Sequence, residues 1–203
     1  MRAAGAEPLF QRYVSGGFQT IVTLVGHGNE ILSQHLQLTT RKHGSGSGLS
    51  ARAASVAIPD DLAGKVRAFL ADHRWFGLAV LQFLVPKEGE PQFIDFNGRF
   101  YGSLGLANAC GMRAMDSWAR LATGRVAIPS ESRLGVAYQS LEGDLRWVWS
   151  EQKTRLVPAA IDCLIEATRT IHPVLSWRDP LPVLQNLARI SRRAFSKTWK
   201  QSI

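Results

Sequence analysis

Short apolar runs broken by Gly, Pro and Asn fill the first part of the chain, and helical periodicities fill the rest. Pro8–Val14 is apolar enough for a strand, Ser15-Gly16-Gly17 reads as a turn, and Phe18–Val25 alternates with β-branched residues as a second strand. Gly26–Glu30 turns back into a third strand at Ile31–Leu36, so a meander of short antiparallel strands is expected. Pro59–His73 is an amphipathic helix whose buried stripe is Leu62, Val66, Phe69 and Leu70, with Asp60 or Asp61 as its cap. Trp75–Val85 is almost wholly apolar. The turn Pro86–Pro91 folds it back on a strand that begins at Phe93, which predicts an antiparallel hairpin. Ser103 reads as the N-cap of a helix from Leu104 to about Gly111, followed by a second helix at Ala114–Ala122 that stops at Gly124. Later come a strand at Arg133–Tyr138, a helix at Leu141–Trp149, a helix at Pro158–Ile171 and a final basic helix. The fold class is therefore α+β: an antiparallel sheet with packed helices over 1–127, then a mainly helical C-terminal extension over 128–203.

Composition changes this picture little. The 203 residues are 45% hydrophobic and 20% charged, as in an ordinary globular domain, and no apolar run reaches membrane-spanning length. Met1–Glu7 has no signal-peptide core, and residues 1–6 read as a disordered lead. Cys110 and Cys163 lack metal-ligand spacing and read as buried reduced thiols, so a cytoplasmic location is expected. The net charge of +8 owes much to Arg189, Arg192, Arg193, Lys197 and Lys200. That tail is either the solvated face of a docked helix or a contact for an anionic surface. The aromatic interleaving of a nucleic-acid platform is missing, so nucleic acid is not an expected partner.

The chemistry concentrates in Phe93–Ser103. On a strand, Asp95 and Asn97 leave the same face, and Arg99 continues the parity if the strand runs that far. Pairing outward from the Pro86–Pro91 turn brings Gln82 beside Asp95. Gln82, Asp95 and Asn97 are then three oxygen donors on one face, suited to Mg²⁺, with Arg99 suited to phosphate or carboxylate. The alternative is that Asp95 and Asn97 sit at a solvated strand end and Gln82 is an edge residue. Arg41–Ser50 is rich in Gly and Ser with three basic side chains. It is either a phosphate cradle or a plain flexible loop, and it lacks the Gly-Lys-Ser/Thr of a Walker A motif.

The ordered set Trp75, Gly77, Ala79, Gln82, Phe83, Asp95, Asn97, Arg99, Gly102, Ser103 and Gly111 resembles the metal-binding hairpin of ATP-grasp enzymes. The resemblance extends upstream, where Gln11 and Tyr13 to Gly16 match the hinge strand. It extends downstream to Trp177-Arg178-Asp179-Pro180-Leu181-Pro182, a segment shared with uncharacterised ATP-grasp ligases. It implies ATP with Mg²⁺ or Mn²⁺ as cofactors, Gln82, Asp95 and Asn97 as metal ligands, and Arg99 as the catalytic cation. It further implies Gln11, Tyr13, Gln19, His35, Gly102 and Ser103 as nucleotide- or substrate-binding residues, with Gln19 at the ribose position. Gln82 and Asp95 stand where Glu is commoner, and Gly98 where Pro is usual. Leu36 and Gln37 replace two arginines of the uncharacterised ligases.

What the resemblance implies as a reaction is the ATP-dependent joining of a carboxylate to an amine through an acyl-phosphate. The partners would be a nucleotide and small-molecule carboxylate and amine substrates. In the family a preceding lobe brings a phosphate-binding lysine and a flap. The expectation is that this chain is the C-terminal half of such a ligase, a fragment or a truncated product, with a missing N-terminal ATP-grasp half as an expected partner. Two other readings stay open: a non-catalytic remnant serving as an interaction module, and an anionic-surface binder working through the basic tail.

Overall fold

Alternation along the strand β1 (Gly16–Val25) divides the molecule into two faces. In the computed structural model, residues 12–43, 49–151 and 155–172 are described, with Phe10 and a few positions between 179 and 189. After β1 come β2 (Ile31–His43), β3 (Leu49–Val56), α1 (Asp60–Asp72), β4 (Gly77–Pro86) and β5 (Gln92–Asn97). Then follow α2 (Leu104–Ala109), α3 (Ala114–Ala122), β6 (Ala137–Gln139), α4 (Leu141–Glu151) and α5 (Leu156–Ala167). The strands form one antiparallel sheet in the order β5-β4-β1-β2-β3-β6. The α+β class expected from the sequence is the observed one.

One face carries Ile21, Leu36, Ala79, Leu81 and Phe83, which pack against Leu62, Val66 and Leu70 of α1. The opposite face carries Val22, Leu24, Leu78 and Val80, which pack under Leu104 and Ala107 of α2 and Ala114 and Leu121 of α3. Each fully buried Val, Leu, Ile or Phe side chain among them contributes roughly 1.5–3 kcal/mol relative to exposure. A bulge in the β4–β5 pairing keeps the two sets apart. Phe83 pairs with Phe93 and Gln82 with Asp95, so Ile94 is the extra residue. Phe93 thus reaches the α1 side, its ring 5.6 Å from Phe69, while Asp95 and Asn97 face the other way.

Two glycines are required here. Gly77, at the start of β4, has φ +92°, and a Cβ there would run into the indole of Trp118. Gly16, expected in a turn, instead opens β1 opposite Pro86, because a Cβ there would meet the carbonyl oxygen of Val85. Residues 12–15 form no strand. The expected third strand is longer than its apolar run, and β3 was not expected at all. The strand at 133–138 is confined to β6. α1 starts at Asp60, with Pro59 at the cap position and no side-chain cap.

A buried ion cluster fastens α4 and α5 to the sheet. Asp144 of α4 is fully buried and accepts from Arg41 Nη1 at 2.7 Å, Arg52 Nε at 2.6 Å and Gln139 Nε2. Arg52 also reaches Asp162 of α5 at 2.8 Å, and the Arg41 guanidinium lies 3.9 Å from the centre of the Trp147 ring. Burial alone would raise the Asp144 pKa; the hydrogen bonds from Gln139, Arg41 and Arg52 outweigh it and hold the carboxyl below its ordinary value. Of the basic tail, Arg189 donates to Glu142 of α4 at 2.7 Å, and positions 190–203 lie outside the described residues.

Candidate functional site

The strand register builds a polar row across the face that carries α2 and α3. Asp95 pairs with Gln82, Gln82 with Thr20, Thr20 with Gln37 and Gln37 with Ser55. Directly paired residues share a face, so these five side chains line up across five strands, over about 19 Å at the usual strand spacing. The row grades from wet to dry. Asp95 is exposed and Gln82 half-buried, while Thr20 and Gln37 are each 1% exposed.

At the wet end, Asn97 lies two residues beyond Asp95 on the same face and donates from Nδ2 to Asp95 Oδ2 at 2.5 Å. The strand stops there, so Arg99 does not extend the parity; it is exposed, with Nη1 donating to the Phe100 carbonyl at 3.1 Å. Trp75 fixes this exit. Its indole Nε1 donates to the Leu78 carbonyl, its ring meets Phe96 edge-on at 4.5 Å, and a Cβ on Gly98 would lie 2.7 Å from it. Gly98 therefore suits a chain that exits beneath an indole.

Toward the dry end, Ser103 stands at the cap position of α2 but makes no side-chain cap bond. Its Oγ is buried and donates to Gln37 Oε1 at 2.8 Å, which ties the start of α2 to β2. α2 has only six residues, and the hydroxyl at its cap position is turned inward. Gly102, just before it, is exposed. Gln37, whose only mark in the sequence is that it stands where an arginine is expected, thus becomes a structural member of the row. Leu36, at the other arginine position, points to the α1 face.

Three further candidates are not gathered here. Gln19 pairs with Phe83, which puts it on the α1 face, opposite Gln82 and Asp95; Thr20 takes the place on the row. His35 shares the face of Asn97 but is separated from it by Val80 and Val22, about 14 Å across the sheet. It is buried, and its Nδ1 lies 2.8 Å from Ser132 Oγ. Tyr13 is 89% exposed, away from any strand, and Gln11 lies outside the described residues. Of the Arg41–Ser50 stretch, positions 41–43 end β2 and 49–50 begin β3, while 44–48 lie outside the described residues. Of the three basic side chains in that stretch, Lys42 reaches toward the face of the row. Its Nζ sits 5.7 Å from the centre of the Phe18 ring, and Phe18 lies two residues from Thr20 on the same face.

The donor set at the wet end fits a hard cation. It offers one carboxylate and two amide oxygens on one face, and Mg²⁺ is commonly held by one or two carboxylates with phosphate oxygens and water completing the octahedron. Among the described residues no cluster of three or more His, Cys, Asp or Glu side chains competes for a metal. None of their helices is long and apolar enough to cross a membrane.

No family model matches the sequence, and no curated protein matches it. Solved structures match its shape. One is the biotin carboxylase domain of Hydrogenobacter thermophilus 2-oxoglutarate carboxylase, in complex with MgADP, ADP and bicarbonate. It has a TM-score of 0.51 and 12% identity, over 62% of this chain and 29% of that one. Another is Campylobacter jejuni biotin carboxylase in complex with an ATP analogue, with a TM-score of 0.51 and 14% identity, over 63% of this chain and 30% of that one. Rhizobium etli pyruvate carboxylase matches at a TM-score of 0.51 and 12% identity, over 60% of this chain and 13% of that one. Biotin carboxylase domains have the ATP-grasp fold, and the likeness is one of fold. The chain spans about 30% of the length of the first two structures.

Proposed function

We propose that this chain supplies the metal- and phosphate-facing half of an ATP-grasp ligase site. In this reading Gln82, Asp95 and Asn97 hold Mg²⁺, or Mn²⁺, against the phosphates of ATP. The observation that carries it is the register: Asp95 opposite Gln82, with Asn97 on the same face, at the open end of a polar row anchored by Gln37 and Ser103. The bound metal would supply charge neutralisation to the phosphate oxygens. Arg99, exposed beside the donor set, is the cation that a transferred phosphoryl group or a substrate carboxylate would meet. Asn97 keeps Asp95 oriented through its amide hydrogen bond and offers its carbonyl oxygen to the metal. The substrates in this reading are a small-molecule carboxylate and an amine, joined at the expense of ATP. The fold shared with structures that hold MgADP and an ATP analogue supports it.

Calorimetric titration of the chain with Mg²⁺-ATP tests the reading, with Asp95→Asn run in parallel. The substitution keeps the side-chain shape and removes the one carboxylate. Expected is Mg²⁺-dependent binding that weakens by tenfold or more, on the scale of about 1.4 kcal/mol or above for a lost charged ligand. Binding that ignores both Mg²⁺ and the substitution, or a folded chain that binds nothing, would sink the assignment of these residues.

A further inference from the structure

We infer that the cleft between the free end of β2 and the 129–132 segment is a second binding site, for a small ligand bearing a primary ammonium or guanidinium group. β3 pairs with β2 only from Leu36 onward, so Ile31–His35 present an edge that β3 does not cover. The chain at 129–132 runs past that edge, held by Ser130 N–H donating to the Leu32 carbonyl at 3.0 Å and Ser130 Oγ donating to the Met112 carbonyl at 2.6 Å. Between them lies a cleft of about 600 Å³, within the usual range for small-molecule sites.

The walls specify the ligand. Ser33 lines the cleft at 5% exposure, and its Oγ has no hydrogen-bond partner among the described residues. A buried hydroxyl left that way costs free energy unless something in the cleft bonds it. Glu131 is the one acidic or basic side chain among the described residues of the lining. Arg133, next to it in sequence, aims its guanidinium at the Ala109 carbonyl at 2.6 Å. His35, behind Ser132, is held neutral by burial, with its pKa pushed down to about 4, and adds no positive charge. One N–H of the Gln34 amide is taken by Thr23 Oγ1, and the Ser130 hydroxyl by the Met112 carbonyl. The cleft therefore offers the Glu131 carboxylate and the unpartnered Ser33 hydroxyl, which together suit a cation with several N–H donors. Among the described residues no aromatic ring lines it, so they form no cation–π cage for a quaternary ammonium. The cleft lies about 13 Å along β2 from the Gln37 position of the polar row, so it is separate from the proposed nucleotide face.

The test is a titration of the isotope-labelled full chain with n-butylammonium and with agmatine, followed by amide chemical shifts. Tetramethylammonium and butyrate at equal ionic strength serve as controls. Expected is saturable binding of the two N–H cations, with shifts centred on 31–34 and 129–132. Glu131→Gln should weaken it about tenfold, the scale of one charge-assisted hydrogen bond. Ser33→Ala, which removes the unpartnered hydroxyl without crowding the core, should weaken it in the same direction and leave the fold intact. Shifts matched by tetramethylammonium, preferential binding of butyrate, absence of binding, or affinity unchanged in both variants would each overturn the site.

Discussion

His35 turns burial into a pH dependence that can be measured. Its ring is 1% exposed, its Nδ1 meets an uncharged partner, Ser132 Oγ, and burial pushes its pKa from the ordinary 6.5 to about 4. The unfolded chain therefore binds a proton below about pH 6.5, and the folded chain resists it until about pH 4. Between those values the unfolded state holds more protons, so stability falls as pH falls. The full shift corresponds to about 3 kcal/mol, and the part lying between about pH 7 and pH 4.5 to about 2 kcal/mol. His43 is also held below its ordinary value, by burial and then by Arg146, partly countered by Glu142, so the wild-type slope contains both histidines. The informative quantity is the difference between wild type and His35→Asn, in which the amide replaces Nδ1 against Ser132. Urea unfolding followed by tryptophan fluorescence at stepped pH should show the wild-type midpoint dropping about 1 M further than the variant's, at a slope of about 2 kcal/mol per molar. If the two proteins lose stability in parallel across that range, His35 is not a buried neutral imidazole. The uncharged wall assigned to the second cleft would then fail with it.

Three other substitutions discriminate equally well. Gly77→Ala forces a side chain onto a residue at φ +92° and against Trp118, and should cost about 2–5 kcal/mol. Gly64→Ala, exposed in α1 with nothing near its Cβ, should instead stabilise by about 0.5–1 kcal/mol; chemical denaturation of the pair checks both signs. Asp144→Asn leaves Arg41 and Arg52 facing a neutral group and should cost about 3 kcal/mol, which for a chain of this size lowers the thermal midpoint by about 6–12 °C. Because the Asp144 carboxyl is held below its ordinary value, its contribution is present above about pH 4 and lost as pH falls through the folded value. The gap between wild type and variant should therefore close in strong acid, and a gap that persists there would refute the ion-cluster account.

How far the fold could be read depended on how local its causes are. The β4–β5 hairpin was legible because an apolar run, a Pro-Lys-Glu-Gly-Glu-Pro turn and a second run lie side by side in the chain. α3 was legible to the residue, since Ala114–Ala122 carries its own periodicity and stop. β3 was not. Leu-Ser-Ala-Arg-Ala-Ala-Ser-Val has little strand preference, and it is a strand because β2 on one side and β6 on the other complete its hydrogen bonds. The role of Asp144 was equally hidden, since its partners Arg41 and Arg52 stand about a hundred positions upstream. Ser103 carried a correct local signal, position before a helix, but a stronger tertiary partner in Gln37 claimed the hydroxyl.

The same distinction governs the site. Gln82, Asp95 and Asn97 could be placed together because one turn sets their register, and the Ile94 bulge sits between that turn and Asp95 without moving Asp95 off Gln82. Gln19 could not be placed, because its face depends on how β1 pairs with β4, a contact closed over some sixty intervening residues. A one-residue difference in that register exchanges the two faces of a strand, so Gln19 and Thr20 trade roles. The consequence is physical as well as inferential. The half of the face that carries Gln82 and Asp95 is secured by one short hairpin, whereas Thr20, Gln37 and Ser103 hold the other half through two strands and a helix start. A change at Gln37 should therefore loosen the start of α2 and the Arg99 loop that leads into it while leaving the Gln82–Asp95 pairing in place. A change in the Pro86–Pro91 turn should do the reverse.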